Sequence, residues 1–489
     1  MTGELERLAS SCILPGFEGP AVPDWVRRRL AEGLGGVVLY AWNVESRDQL
    51  RALTDDLRSE RHDLVIAIDE EGGDVTRLEV ATGSSYPGNG ALGVVDDVEL
   101  TERVAGAIGC ELAEVGVNLD FAPVADVNTN PRNPVIGIRS FGSDGELAAR
   151  HVAAFVRGLQ RSGVAACAKH FPGHGDTAVD SHLALPFVDE LDNAALVPFR
   201  AAIEEGVQSI MTAHIVVRSI GDDPATMNRE ILDDLLRGEL GFTGLVVTDA
   251  IEMKAISAGV GVVEGAVRAI SAGADALCLG HDLFDESVVA VRRALLDAVR
   301  AGRVSEERLV DAATRVRRLA SWAGEQDEAP PPDRGAGSTA ARAALLCEGE
   351  GRLTRRALVV ELEPEVGMAA GRLSQLPGEW FRAVVPDTEL RRFDACAFDP
   401  DLDLDGRQLV VIARDAHRHE WEREAIEALV ARAPDAIVIE IGLPHWRPPQ
   451  VATYVATHGA ARVNVEAAAG ALYSGSRRGV EQSGSSPGS

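Results

Sequence analysis

The chain has 489 residues, of which 46% are hydrophobic and 25% are charged, which is the composition of a globular protein with a large core. Its 76 acidic and 48 basic side chains give a formal net charge of −28, and because such a surface repels phosphates, we expect no nucleic-acid partner. No apolar run approaches the roughly 18 residues of a membrane helix and the first residues lack the pattern of a secretory signal, so we expect no membrane partner and a cytoplasmic location.

Eight short apolar runs alternate with longer helical patterns through about the first 320 residues. Each run is continuous in its hydrophobicity, as expected for parallel strands that are buried on both faces. The runs are Cys12–Phe17, Gly36–Tyr40, Leu64–Asp69, Asn118–Pro123, Val164–His170, Ser209–His214, Leu245–Asp249 and Asp275–Leu279. The helical stretches include Leu147–Arg161, Asn193–Glu205, Arg229–Glu239 and Val262–Ala272. This repetition predicts an α/β architecture, a (β/α)₈ TIM-type barrel over residues 1–323, although an open doubly wound sheet has the same periodicity.

The composition changes after a last barrel helix at Ser305–Trp322. Residues 324–354 contain three consecutive prolines with charged residues and glycine, which predicts a linker. Residues 355–474 have strand-like runs at Ala357–Leu362, Gln408–Ala413 and Ala436–Ile441 and a helical pattern at Glu420–Ala433, which predict a smaller α/β sandwich domain. The tail 475–489 is rich in Ser, Gly and Arg and is expected to be disordered.

Polar residues cluster where the predicted barrel strands end. These positions are Asp69–Gly73 after strand three, Asp126, Asn133 and Arg139 after strand four, Lys169–Asp176 at the end of strand five, His214 after strand six, and Thr248-Asp249 at the end of strand seven. In a barrel these ends meet at one mouth, where the active sites of barrel enzymes lie. Charged groups at so many strand ends are costly for packing alone, and an open sheet gathers only a few of them at its switch point. The pattern therefore favours the barrel and an active site at its mouth.

One segment of this mouth, Lys169–Thr177 (KHFPGHGDT) followed by Asp180-Ser181-His182, resembles the signature of the β-N-acetylglucosaminidases of glycoside hydrolase family 3. Ile68–Gly73 (IDEEGG), Val135–Gly142 (VIGIRSFG) and Val247–Ala250 (VTDA) are similar to further segments of that family, in the same order. The resemblance covers about residues 10–320, and the second domain resembles only loosely the extra α/β domain of some members. It implies a retaining exo-β-N-acetylglucosaminidase.

The resemblance implies that Asp249 is the nucleophile, which forms a covalent glycosyl intermediate. Asp249 also ends a predicted buried strand, where the alternative is that it caps the following helix. For the acid/base the resemblance implies His182 on a loop, paired with Asp180, because this branch uses a His–Asp pair where most retaining enzymes use a second carboxylate. The carboxylate orients the ring and supports the imidazolium, while the alternative is an exposed loop histidine without a role.

Five further residues match the sugar-binding positions of the family: Asp69, Arg77, Arg139, Lys169 and His170. Charged and forked hydrogen-bonding groups suit sugar hydroxyls when they are held rigidly. For Arg139 the alternative is a structural ion pair with Asp126 or Asp144. The chain departs from the family at Tyr40-Ala41-Trp42-Asn43, where relatives often carry an Arg before the Asn, and this leaves the outer subsites undefined.

Five residues of the signature have side chains of the kind that bind zinc: His170, His174, His182, Asp176 and Asp180. Their spacing does not match a helix-based ligand pair, and the surrounding Gly and Pro residues indicate a shaped loop, so we expect no metal and no cofactor. The expected partner is a small-molecule carbohydrate, such as a cell-wall muropeptide fragment, because aromatic residues make up only 4% of the chain and a long stacking platform for polysaccharide is disfavoured.

Two alternatives to a hydrolase stay open. A neutral histidine in place of an anionic glutamate would let phosphate approach the glycosyl-enzyme, as in a glycosyl phosphorylase; a non-catalytic sugar sensor on an enzyme scaffold is the other alternative. The six scattered cysteines contain no Cys-x-x-Cys pair and favour buried free thiols in a reducing compartment. The oligomeric state and the role of the second domain are left open.

Overall fold

The computed structural model describes residues 2–324, 331–349, 351–363 and 376–481, which fall into two compact units. The first, the barrel unit, comprises the described residues up to Glu71 together with Asp96–Ile136 and Ser140–Arg334. The second, the sandwich unit, comprises Gly72–Val95, Gly137–Arg139 and the described residues from Gly335 onwards. The chain therefore passes between the two units several times.

Eight parallel strands form the barrel: β1 (Ile13–Leu14), β2 (Gly36–Leu39), β3 (Val65–Ile68), β4 (Leu119–Asp120), β5 (Ala165–Phe171), β6 (Ser209–Thr212), β7 (Leu245–Thr248) and β8 (Leu277–Cys278). Strands β2 to β7 are neighbours in chain order, and β8 pairs with β1. The ring closes where Val38 N–H donates to Pro15 O and Thr248 N–H donates to Ala276 O, both over 3.0 Å. The predicted barrel is confirmed.

The barrel interior is one hydrophobic cluster to which all eight strands contribute a buried side chain, for example Leu14, Val65 and Val247. The last barrel helix adds Val316 and Leu319 to the same cluster. Such continuous burial explains why the strands read as unbroken apolar runs in the sequence.

Helices surround these strands. They are Thr2–Ser11, Asp24–Ala31, Arg47–Glu60, Val98–Glu114, Gly145–Gln160, Asn193–Glu204, Glu230–Glu239, Lys254–Ser257, Val262–Ala272, Asp285–Arg300 and Glu306–Gly324. Five of them begin after a side chain that accepts a first-turn N–H, namely Ser46, Asp97, Asp144, Asp192 and Ser305. A short parallel pair that the sequence did not predict, Phe187–Val188 with Val216–Val217, lies outside the barrel sheet.

The sandwich unit is built on a six-stranded sheet: β9 (Leu346–Gly349), β10 (Ala357–Leu362), β11 (Glu389–Phe393), β12 (Gln408–Ala413), β13 (Ile437–Glu440) and β14 (Thr453–Ala456). The strand order is β9-β14-β13-β12-β10-β11, and only the β9–β14 pair is antiparallel. The helices are Asn89–Val95, Ala336–Ala343, Pro377–Val384, Glu420–Arg432 and Arg462–Glu481.

Both faces of this sheet are covered, as predicted for an α/β sandwich. Successive residues of β10 enter different hydrophobic clusters, Val359 with Trp380 and Leu472 on one face and Val360 with Leu429 on the other. This alternation is what a strand between two layers of helices requires.

Three details differ from the sequence-based expectations. Residues 72–95 and 137–139 belong to the sandwich unit, where Arg462 donates to Gly83 O over 3.1 Å and Asn89 donates to Arg139 O over 2.8 Å. The range 324–354, predicted as a linker, contains the helix Ala336–Ala343 and strand β9. The tail 475–489, predicted to be disordered, begins inside a helix that continues to residue 481, and residues 482–489 lie outside the described part of the chain.

None of the helices in the described ranges is both long and apolar enough to cross a lipid bilayer. All six cysteines are free thiols: Cys12, Cys110, Cys167 and Cys278 are buried, and Cys347 and Cys396 are exposed. The expected burial is therefore wrong for two of the six.

Candidate active site

The candidate site lies at the carboxyl ends of the barrel strands. Asp69 directly follows β3, and Asp249 directly follows β7. Lys169 and His170 lie within β5, near its carboxyl end. Because all eight strands are parallel, these ends face the same mouth. The sequence alone placed each of these residues at a strand end.

Asp249 is a partly exposed carboxylate at this mouth. Its Oδ1 accepts the N–H of the next residue, Ala250, over 2.8 Å. The first helix after β7 begins only at Lys254 and has Met253 at its cap position, so the alternative that Asp249 is a helix cap is excluded.

The surroundings of Asp249 favour its ionised form. Burial on its own would raise the pKa of this carboxyl, but His170, His214 and His182 and the Ala250 N–H together hold the pKa below its ordinary value. A carboxylate that is ionised, partly exposed and surrounded by histidines can act as a nucleophile at neutral pH.

Asp180 and His182 form a hydrogen-bonded pair on the loop after β5. His182 Nδ1–H donates to Asp180 Oδ1 over 2.7 Å, and the His182 backbone N–H donates to the same oxygen over 2.8 Å. The His182 side chain is 25% exposed whereas Asp180 is buried. Burial would raise the pKa of Asp180, but the bonds from His182 lower it below the ordinary value. Such a carboxylate orients the ring and leaves Nε2 to exchange protons.

The loop that carries this pair is fixed by His174, which the sequence analysis considered only as a metal ligand. Its Nδ1 lies 2.7 Å from Thr177 Oγ1, and its Nε2 lies 3.1 Å from Ser181 Oγ. Ser181 is the residue between Asp180 and His182 in the sequence. Burial lowers the pKa of His174 to about 4, so the ring is neutral at physiological pH. His174 thus positions Asp180 and His182.

Lys169 is buried between two carboxylates. Its Nζ donates to Asp69 Oδ1 and to Glu71 Oε1, both over 2.6 Å. Asp69 keeps 20% of its side chain exposed and Glu71 only 3%, so Asp69 is the group that faces outwards. The structure therefore joins two predicted sugar-binding residues and shows that Glu71, to which the sequence assigned no role, holds Lys169.

His170 is oriented by a second His–Asp pair. Its Nδ1–H donates to Asp126 Oδ2 over 2.7 Å, and Asp126 also accepts the backbone N–H of His174 over 2.6 Å. Burial would raise the pKa of Asp126, but His170 and His174 lower it below the ordinary value. The three histidines of the signature are thus directed to different partners, which argues against the zinc alternative.

His214 lies behind the nucleophile, and the sequence had assigned it no role. Its Nε2–H donates to Ala250 O over 3.0 Å, and its Nδ1 lies 2.7 Å from Thr226 Oγ1. Burial lowers the pKa of His214, although the charge of Asp249 acts in the opposite direction. Since Ala250 also donates to Asp249, His214 fixes the turn that presents the nucleophile.

The two predicted sugar-binding arginines belong to the sandwich unit. Arg77 lies in the segment Gly72–Val95, and Arg139 is a buried residue of the short segment Gly137–Arg139. The two carboxylates proposed as alternative ion-pair partners of Arg139 have other hydrogen-bond partners. Asp126 accepts from His170, and Asp144 caps a helix by accepting Leu147 N–H over 2.8 Å. The structure thus gathers the other predicted residues in the barrel unit and places these two in the second unit.

Comparisons with known proteins agree with the motifs. The profile of the glycosyl hydrolase family 3 N-terminal domain matches residues 21–319. Beta-hexosaminidase A of Pseudoalteromonas piscicida is 37% identical over 317 residues, which is 58% of this chain and 53% of the relative. The beta-hexosaminidase of Neisseria meningitidis serogroup B is 35% identical over 291 residues, 55% of this chain and 80% of the relative.

The chain is also similar to solved structures over nearly its whole length. The glycoside hydrolase family 3 beta-N-acetylglucosaminidase from Paenibacillus sp. str. FPU-7 is similar with a TM-score of 0.86 and 35% sequence identity, over 95% of each chain. By contrast, this chain spans only about half the length of the Pseudoalteromonas relative that it matches.

Proposed function

Because the chain belongs to glycosyl hydrolase family 3 and is a glycoside hydrolase, we propose that it is a retaining exo-β-N-acetylglucosaminidase, which releases terminal β-linked N-acetylglucosamine from small glycosides. The observation that carries the proposal is the pairing of two groups at one mouth: an ionised, partly exposed Asp249 and the hydrogen-bonded pair of His182 and Asp180. A double displacement needs one carboxylate nucleophile and one proton-transferring group.

In the first step Asp249 attacks the anomeric carbon, and the bond from that carbon to the leaving oxygen breaks. His182 Nε2 gives its proton to the leaving oxygen, while Asp180 holds Nδ1 and keeps the ring in place. In the second step water attacks the same carbon, His182 takes a proton from the water, and Asp249 leaves as a free carboxylate. Two inversions give net retention.

The sugar itself would be held by the groups next to the nucleophile. Asp69, supported by buried Lys169, offers a carboxylate to hydroxyl groups, and His170, fixed by Asp126, offers a ring nitrogen. We also propose that Arg77 and Arg139 bind the sugar, as the resemblance to the family implies.

We further propose that the enzyme acts in the cytoplasm on soluble glycosides such as muropeptide fragments, in the recycling of peptidoglycan. The support is that all six cysteines are free, two of them exposed, which suits a reducing compartment.

The test is turnover of p-nitrophenyl β-N-acetylglucosaminide beside p-nitrophenyl β-glucoside. We expect a higher kcat/KM for the acetamido sugar and a β-configured first product by NMR. Equal kcat/KM for the two sugars would remove the proposed specificity, and an α-configured first product would remove the retaining mechanism.

The phosphorylase alternative is tested by the same assay in phosphate. We expect free N-acetylglucosamine with or without phosphate, and no loss of activity in EDTA. Accumulation of the sugar 1-phosphate would identify a phosphorylase, and loss of activity in EDTA that zinc restores would reassign the histidines as metal ligands.

A further inference from the structure

Three rings stand together at the barrel mouth, on strand ends that the proposed mechanism does not use. Tyr40 directly follows β2, and His281 follows β8. The Tyr40 and Trp42 rings stack with their centroids 5.1 Å apart, and the His281 ring lies 5.7 Å from Tyr40 and 5.3 Å from Trp42. Trp42 is nevertheless 41% exposed. We call these three residues the aromatic cluster.

Three hydrogen bonds within the protein fix the turn that carries Trp42. The indole N–H donates to Phe17 O over 2.9 Å, and Asn43 Nδ2 donates to the same carbonyl over 2.9 Å. Asn43 Oδ1 in turn accepts the Tyr40 N–H over 2.8 Å. A rigid aromatic side chain loses little conformational entropy when a ligand binds against it.

His281 is held by Glu252, a residue of the segment that follows the nucleophile. His281 Nδ1–H donates to Glu252 over 2.8 Å, and Glu252 also accepts the backbone N–H groups of His281 and Asp282, both over 2.7 Å. The approach of Glu252 requires glycine at position 280, where φ is +82° and a Cβ would lie 2.2 Å from the Glu252 carboxyl. Backbone hydrogen bonds at the barrel mouth therefore hold the aromatic cluster in place.

The aromatic cluster contacts β8, a neighbour of the strand that ends at the candidate nucleophile. Tyr40 Oη lies 3.9 Å from Cys278 Sγ. Burial raises the pKa of the Cys278 thiol, and the charges of Asp249 and Asp69 raise it further, which places Cys278 within electrostatic reach of both carboxylates. The Cys278 backbone N–H also donates to Thr248 Oγ1 over 3.1 Å, and Thr248 directly precedes Asp249, so Cys278 links the aromatic cluster to the strand that ends at the nucleophile.

We propose that Trp42, backed by Tyr40 and His281, is a stacking subsite for the sugar ring on the leaving-group side of the scissile bond. This proposal rests on the proposed glycosidase function. A pyranose presents a face of C–H groups that packs on an aromatic ring, and the leaving sugar is the part of the substrate that lies beyond the residues which hold the terminal sugar. A single exposed indole suits one such ring, and therefore a short substrate.

The test compares two substrates that share the terminal sugar. N,N′-diacetylchitobiose has a sugar as its leaving group, whereas methyl β-N-acetylglucosaminide has methanol as its leaving group. Trp42→Ala should lower kcat/KM for the disaccharide about tenfold and leave the methyl glycoside within about twofold, whereas Trp42→Phe should recover most of the loss. Val310→Ala, at a residue of the last barrel helix that is 42% exposed, is the matched surface control and should change neither value.

Binding to Asp249→Asn, which does not turn over, separates this proposal from the proposed function. There the added Trp42→Ala change should raise the Kd for the disaccharide about tenfold and leave the Kd for N-acetylglucosamine unchanged. An equal loss on both ligands, or no loss on either, overturns the subsite. A wild-type protein that cleaves neither substrate overturns the proposed function, and the subsite then stands or falls on the Kd values.

Discussion

Both units contain carboxyl groups that are largely removed from solvent, but the surroundings of these groups favour opposite protonation states in the two units. In the barrel unit, histidines lower the pKa of Asp126, Asp180 and Asp249 below the ordinary value although burial acts to raise it. In the sandwich unit, burial raises the pKa of Glu361 to about 7 despite the neighbouring Arg392, and it raises the pKa of Glu422 to about 9. Burial is common to both units, so the difference comes from the neighbours: histidines lie beside the barrel carboxyls, whereas the acidic side chains Glu440 and Asp415 lie beside Glu422 and raise its pKa further.

The barrel contains one carboxyl that behaves like those of the sandwich unit. Asp120, at the end of β4, is fully buried, and burial raises its pKa well above the ordinary value although its Oδ1 accepts the Glu70 N–H over 2.9 Å. A position at the mouth therefore does not by itself make a carboxyl reactive. The ionised carboxylates with histidine neighbours are the ones that mark the candidate site.

The largest expected effect is at Asp249. Asp249→Asn keeps the shape of the side chain but removes the charge that forms the covalent bond, so kcat should fall at least about 10³-fold with an unchanged melting temperature. Asp120→Asn, at the buried carboxyl whose pKa is raised, is the matched control and should lose far less. A 2-fluoro sugar should label Asp249 in the wild type, and labelling of another carboxylate would move the nucleophile elsewhere.

The next effect concerns His182 and depends on the leaving group. His182→Ala should lose about 10²- to 10⁴-fold in kcat/KM on alkyl glycosides and much less on substrates with an acidic phenol, because only the poor leaving group needs a proton. Asp180→Ala should show the same pattern more mildly, and azide should rescue the His182 variant by attacking the intermediate. Equal losses on both substrates without rescue would make His182 a binding or structural residue.

A third change removes the cation that keeps two barrel carboxylates together. Lys169→Met leaves the buried Glu71 and the partly exposed Asp69 side by side without their cation. The free energy of unfolding should therefore drop by about 3–5 kcal/mol, and kcat/KM should fall alike for good and poor leaving groups. Denaturant titration measures the first effect. Adding Glu71→Gln should restore part of the stability, and no restoration would show that the loss is not electrostatic.

The smallest expected effect is the pH dependence of stability that Glu422 causes in the sandwich unit. The unfolded chain releases the Glu422 proton near pH 4.3, whereas the folded protein keeps it to about pH 9, so the stabilising contribution is complete below the lower pH and is lost as the pH rises through 9. Glu422→Gln should remove this dependence and melt about 2–4 °C higher than the wild type at pH 9.5. The difference should shrink steadily as the pH falls and should vanish near pH 4.

Glu420→Gln is the control for that experiment, because Glu420 is an exposed residue of the same helix. Its melting temperature should follow that of the wild type at every pH. If Glu422→Gln also follows the wild type, the carboxyl of Glu422 is ionised at neutral pH and the contrast between the two units disappears.

The sequence was most informative where structure is local. Seven of the eight barrel strands lie within the predicted runs, and β5 extends one residue further, to Phe171. A buried parallel strand needs a continuous apolar segment, and Val65–Ile68 or Leu245–Thr248 supply one. Asp249 and the pair of Asp180 and His182 were found because strand ends and a compact signature place them close in the chain. Their roles remain proposals.

The missed features depend on contacts between distant segments. Nothing local distinguishes Ile138 from a barrel residue, yet it packs in one of the clusters of the sandwich unit. His214 gained its position behind the nucleophile from Ala250 and Thr226, which only the fold brings to it. His174 did lie inside the signature, but its bonds to Thr177 and Ser181 follow from the shape of the loop rather than from spacing.

The connectivity of the two units also limits how the gene can be divided. The chain passes between them after Glu71, Val95, Ile136, Arg139 and Arg334. During translation residues 72–95 leave the ribosome long before the strands of the sandwich sheet. This segment can therefore pack in its unit only after those strands have been synthesised. A stop codon after Arg334, or a fusion made there, would leave residues 72–95 and 137–139 without the rest of the unit to which they belong. The two units must therefore be inherited and expressed together.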